Sequence, residues 1–310
     1  MVDANASHQR CLAVHALSFG HVHYLPVSLR TDLAKLANAQ DFSGVVAVSK
    51  DGERIVDLAR GFAERANERP ITVETRFGIA SATKGLTALT VASLIESGEL
   101  RGDTTLRSLL PDGLSMVDPE VTIEQLLGHT SGVGDYLDEE ELGDIDDYVM
   151  GLPLHRLAAP ADYLPLLDGH PQRTSPGSQF AYNNGGYVML SIAVEMAAGR
   201  SFYDLVQERV VGPAGMVATA FERSDRLPAG AALGYLEDGR TNVHHLPVRG
   251  RATAARTRPS VTSRPCGRHC LRDASCPYPS SIGSWSRAAR QQMGTLATAS
   301  ASGFDPIVRP

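Results

Sequence analysis

The chain has 310 residues, 43% of them hydrophobic and 21% charged. This is the composition of a globular protein, with length for one large domain or two modest ones. No apolar run reaches 18 residues, which excludes a membrane-spanning helix, and a net charge of −6 excludes a whole-chain nucleic-acid binder.

The average conceals a break. Residues 249–310 hold ten Arg, two Asp (Asp273 and Asp305), no Lys and no Glu, while the first 248 residues carry a net −14. Three of the four cysteines (Cys266, Cys270 and Cys276) also fall in the tail. The whole chain has three lysines, Lys35, Lys50 and Lys84, against 26 arginines, which points to GC-rich coding.

Residues 1–28 read as a flexible leader. A secretory signal needs a basic start and a sustained apolar run. Here Asp3 and Arg10 occupy the start, and the run Cys11–Phe19 is interrupted by His15, so a cytoplasmic location is expected. His8, His15, His21 and His23 have no partner ligands at zinc spacing, so no metal is expected. Ordered sequence is expected from about Leu29. Leu33, Leu36 and Ala37 give a short amphipathic helix pattern. The β-like runs Gly44–Ser49 and Arg54–Leu58 flank Asp51-Gly52, a hairpin signal. From Ser81 a long helix runs through Leu86, Leu89, Leu94 and Ile95 to a C′ stop at Gly98. A second helix is predicted over Val121–Leu127, starting near Thr122, before the turn-rich Leu127-Gly128-His129-Thr130-Ser131-Gly132. Positions 135–147 hold eight acids without EF-hand spacing and read as a solvated loop. Tyr187–Ala198 is an apolar helix stopped by Gly199, and Phe202–Val211 repeats its pattern.

The chemistry starts at Ser81-Ala82-Thr83-Lys84. A serine hydroxyl is a poor nucleophile until a neighbour takes its proton. On a helix the i, i+3 spacing puts both side chains on one face, and a lysine desolvated at a helix N-terminus can lose its charge and act as the base. The tetrapeptide alone reads better as a helix-capping serine and a surface lysine. About 100 residues on, Tyr182-Asn183-Asn184 precedes the apolar helix. Tyr182 can carry a proton beside an ammonium group, and Asn184 offers an amide with donors and acceptors. No Gly-x-Ser-x-Gly elbow and no His-Glu-x-x-His helix competes.

Three stretches, Phe77–Gly85, Leu126–Gly132 and Pro176–Gly186, resemble the serine β-lactamase and penicillin-binding-protein-like superfamily, in particular its class C β-lactamase and esterase branch. The resemblance spans about residues 29–249. It implies an α+β fold, with an antiparallel sheet flanked by helices plus a helical subdomain. It also implies a serine hydrolase without cofactor, acting on a small-molecule ester, amide or β-lactam. By the resemblance Ser81 is the acylated nucleophile, Lys84 and Tyr182 share the acid–base work, Asn184 binds substrate, and His129 is structural. No nucleic-acid partner is implied.

One family motif is missing. Beyond residue 249 there is no Lys-Thr-Gly and no His-x-Gly equivalent, and His269 is followed by Cys270 and Leu271. The C-terminal strands of the sheet are therefore expected to be missing, leaving 250–310 as an aberrant, disordered Arg/Cys-rich tail. The alternative function is a catalytically impaired or non-catalytic binding relative. Zinc ligation by Cys266, His269, Cys270 and Cys276 fits no standard spacing. Back-translated with GC-rich codons and read two bases on, Arg251–Thr262 becomes GDGGAYSSVGD, which is similar to the Gly-Gly…Tyr-Ser…Asp segment of the family. The expected cause is a frameshift near Arg249–Arg251. Sequencing the gene across codons 245–255 checks this; a well-supported continuous frame with homologous tails elsewhere would overturn it.

Overall fold

The structure, a computed structural model, describes residues 26–50, 53–138, 145–250 and 256–257. The Asp51-Gly52 turn, nearly all of the expected leader and nearly all of the expected tail lie outside the described residues.

The chain enters through α1 (Pro26–Ala39), and a proline suits the first turn of a helix because its missing N–H has no intrahelical partner there. The antiparallel pair β1 (Gly44–Lys50) and β2 (Glu53–Arg60) follows, with Gly44 opposite Arg60 and Lys50 opposite Glu53. Arg30 ties α1 to this pair through the Asp57 carbonyl at 2.7 Å. Two shorter ladders complete the strand content among the described residues. β3 (Phe62–Glu64) pairs with β4 (Arg69–Pro70), and β5 (Phe77–Gly78) pairs with β6 (Arg256–Thr257). The last pairing brings backbone from the stretch expected to be disordered alongside the segment that leads into Ser81.

The helical layer holds the main core. A 3-10 turn, Ala80–Ala82, runs into α2 (Thr83–Ser97), and Gly98 closes it in the left-handed conformation at φ 78°. Ser81 therefore sits on the entry turn, one step before the α-helix proper. Short helices α3 (Leu106–Leu109), α4 (Ile123–Leu127) and α5 (Leu164–Leu167) pack around α6 (Asn184–Ala198), which crosses α2. α7 (Phe202–Val206) continues as a π turn over Gln207–Val211, which differs from the single helix predicted there. No helix among the described residues is long and apolar enough to cross a membrane.

Both long helices are covered on most sides, which explains their near-continuous apolar character. On α2 the buried positions include Leu86, Ala88, Val91 and Leu94, and on α6 they run without a break from Asn184 to Val194. Each fully buried Leu or Val contributes roughly 1.5–3 kcal/mol. The buried threonines of α2 are satisfied locally: Thr90 donates to the Leu86 carbonyl at 2.9 Å and Thr87 to the Thr83 carbonyl at 3.4 Å. Core on the strand side is thin by comparison: a small cluster of Ala63, Ile71 and Ala232, besides the buried Val56 of β2.

α4 has a complete capping box. Thr122 Oγ1 accepts the Gln125 N–H at 3.3 Å, and Gln125 Oε1 accepts the Thr122 N–H at 2.9 Å. This helix aims the chain into the Gly128–Gly132 loop. We expect Thr122→Ala to lower unfolding free energy by about 1 kcal/mol, read as a reduced urea midpoint at unchanged slope.

Candidate active site

Backbone bonds join the loop after α4 to the segment before α6. The Arg173 N–H donates to the Gly132 carbonyl at 2.8 Å, the Gly177 N–H to Thr130 at 2.7 Å and the Ala181 N–H to His129 at 2.8 Å. Gly132 is required there: its φ is +68°, and a Cβ would strike the Thr174 carbonyl. The two segments travel together, and their end delivers Tyr182 over the N-terminal turn of α2.

There the side chains converge. Lys84 Nζ lies 3.0 Å from Ser81 Oγ, 2.5 Å from the Tyr182 hydroxyl and 2.8 Å from Asn184 Oδ1. Tyr182 OH lies 2.8 Å from Ser81 Oγ, closing a triangle of hydroxyl, amine and phenol. Exposure is graded across it. Lys84 is 1% exposed, Ser81 is half-buried and Tyr182 is 40% exposed, so the hydroxyls face solvent while the amine lies behind them. Ala80, immediately before Ser81, is held at φ 41°, a conformation that costs a residue with a Cβ.

Asn184 departs from the sequence-based expectation of a substrate-facing amide. It is 2% exposed, with Oδ1 on Lys84 and Nδ2 donating to the Leu137 carbonyl at 3.1 Å. Both ends of the amide are already engaged inside the protein.

The expected solvated acidic loop is also corrected, at Asp135. This side chain is 6% exposed. Its carboxylate accepts the Asn184 N–H at 2.5 Å, the Gly185 N–H at 2.9 Å and the Leu137 N–H at 3.2 Å. Burial pushes its carboxyl above the usual carboxylate range, and the three backbone bonds and the Lys84 charge oppose that rise. Residues 139–144 of the acidic stretch lie outside the described residues. Sequence reading missed Asp135 because seven neighbouring acids make it look like one of a solvated set; the signal available was the adjoining Gly-Val-Gly-Asp-Tyr, where an acid sits among small and apolar residues.

His129 packs beneath the site. Its ring stacks on Tyr187 at 4.9 Å and lies tilted against Tyr182 at 4.7 Å, and its Nδ1 accepts the Asn183 N–H at 3.1 Å. Burial, with a smaller contribution from the Lys84 charge, lowers its pKa to about 3. The folded protein thus keeps His129 neutral where the unfolded chain would protonate it. The resulting stability is full above about pH 6.5 and is lost as pH falls from there toward about 3. We expect His129 to account for roughly 1–2 kcal/mol of stability lost between pH 7 and pH 5. Urea titrations of wild type and His129→Gln check this, and the variant is expected to lose less over that interval.

Residues 29–292 match the Beta-lactamase family model, a span that continues past residue 249. Penicillin-binding protein 4* of Bacillus subtilis is 29% identical over 71% of this chain and 47% of its own length. Esterase EstB of Burkholderia gladioli is 34% identical over 56% of this chain and 45% of its own. This chain therefore spans about half the length of these curated relatives. The crystal structure of a penicillin-binding protein from Bacillus halodurans superposes with a TM-score of 0.67 at 38% identity, covering 73% of this chain and 70% of that one. With the α+β fold of its structural neighbours and a family-model match over most of its length, the chain belongs to the beta-lactamase family of serine hydrolases.

Proposed function

We propose that this protein is a serine hydrolase that forms an acyl-enzyme at Ser81 on a small-molecule ester, amide or β-lactam. The observation that carries the reading is the Ser81–Lys84–Tyr182 triangle, each edge at hydrogen-bond length. In the acylation step the Ser81 proton passes to the unprotonated amine of Lys84 or, in its phenolate form, to Tyr182. Oγ then attacks the substrate carbonyl carbon, and the tetrahedral adduct collapses as the leaving group takes back a proton from the same pair. Water repeats the sequence in reverse and releases the acid. Taking an amine out of water disfavours its charged form, which suits Lys84 to the base role. Asn184 acts by holding that amine in line.

A penicillin-binding protein and an esterase among the relatives support the range of acyl substrates. A second reading, a binding relative without turnover, draws on one sequence fact: no Lys-Thr-Gly equivalent follows Tyr-x-Asn in this chain.

Hydrolysis of nitrocefin or p-nitrophenyl acetate separates the two readings. Ser81→Ala is expected to abolish turnover and to block the mass adduct left by a fluorophosphonate or β-lactam. Lys84→Met and Tyr182→Phe are each expected to lower the rate by about 10²-fold or more. Equal rates in wild type and Ser81→Ala would remove the hydrolase reading.

A further inference from the structure

The first turn of α6 presents three backbone N–H groups that need acceptors. Asn183 takes the third, its Oδ1 accepting the Gly186 N–H at 2.6 Å. Asp135, from a loop about fifty residues away, takes the first two, those of Asn184 and Gly185. The same carboxylate accepts the Leu137 N–H, and the Leu137 carbonyl in turn receives the Asn184 side-chain amide. Asn184 is thus gripped at its backbone by Asp135 and at its Nδ2 by the loop that Asp135 folds. What remains of it is Oδ1, and that atom points at Lys84. Gly185 allows the approach, since a Cβ there would come within 3.2 Å of Asp135 Oδ1.

We propose that Asp135 is a positioning residue of the site, which locks the Asn184 carbonyl onto the Lys84 amine and sets a buried negative charge behind it. This rests on the assignment of Lys84 and Ser81 as base and nucleophile and extends it to the loop behind them. Two consequences follow from the arrangement. Without the lock, Asn184 gains freedom and the amine loses its alignment with Ser81 Oγ, and misplacement of a reacting group is costly in rate. Without the charge, the ammonium form of Lys84 is less favoured, so the free amine persists to lower pH. The titratable groups facing Lys84 are Tyr182 and Tyr187 from around α6, His129 from the preceding loop and Asp135 itself. His129 is uncharged above about pH 3 and burial raises the Tyr187 phenol, so neither changes charge between pH 5 and 9. Asp135 is the carboxyl group among the four, and the Lys84 charge and its three backbone bonds favour its anionic form against burial.

The test is the pH dependence of Ser81 labelling by a fluorophosphonate probe, read by intact mass on the full chain, with circular dichroism to verify folding. Asp135→Asn has nearly the same shape, lacks the charge and can satisfy only one of the two helix N–H groups with its single carbonyl. We expect it to label about tenfold more slowly on the plateau and its acid limb to move down by about one pH unit, the size expected of a buried unit charge. A slower plateau with an unmoved limb would reduce Asp135 to a helix cap and overturn the proposal. If Asp135→Asn does not fold, Asn184→Ala carries the test, because it leaves the backbone bonds to Asp135 in place. A tenfold or greater loss of labelling supports the relay, and wild-type labelling overturns it. Wild-type protein that gives no Ser81 adduct would overturn the nucleophile assignment, an outcome distinct from an unmoved limb in a protein that does label.

Discussion

A primary amine buried to 1% exposure is the constraint around which this molecule is arranged. Removing an amine from water is costly unless every direction it faces is met by a partner. Lys84 meets a hydroxyl, a phenol and an amide oxygen, and the tyrosine rings close over it, with Nζ 4.6 Å from the Tyr182 ring and 5.7 Å from that of Tyr187. None of those partners other than Ser81 is close in sequence. The fold must bring α6 and its approach segment onto the start of α2, and the helix crossing at the centre of the core does so.

The polar side of this arrangement is built in layers. The triangle of Ser81, Lys84 and Tyr182 forms the layer nearest solvent. Behind it Asn184 and His129 hold the amine and the phenol ring, and behind these Asp135 and Asn183 satisfy the first turn of α6. The inner layers consist of buried groups that hydrogen-bond within the protein, which keeps their polar atoms satisfied and fixed. The strained backbone at Ala80 and His129, both at positive φ, lies within these layers as well, where surrounding bonds over-determine it.

The site also stands at a boundary between unequal halves. The helical layer beneath it is densely packed, with Leu94, Val91, Met189 and Leu190 all fully buried. On the other side the described strands form three separate two-stranded ladders over a small cluster, and β5, three residues before Ser81, takes its partner from Arg256–Thr257. Ser81 is therefore anchored firmly through α2 and α6 and more lightly through strands.

Much of this was legible from residues alone. The left-handed glycines at Gly98 and Gly199 stop two helices where the sequence predicts, because an L-residue is strained at that φ. Thr122 starts α4, and the hairpin follows from two β-branched runs around a turn. Ser-x-x-Lys and Tyr-x-Asn name the four side chains that meet at the start of α2, each pair joined by local spacing. Two features were decided by tertiary structure. Asn184 looks like a substrate contact in sequence, yet burial under the Leu137 carbonyl turns it inward. Asp135 looks like one of eight solvated acids, yet it accepts bonds from a helix that starts 49 residues later. Local patterning determines which groups exist and which face of an element they share. Which of them are withdrawn from water, and toward which partner each points, depends on contacts between distant segments that no short-range pattern encodes.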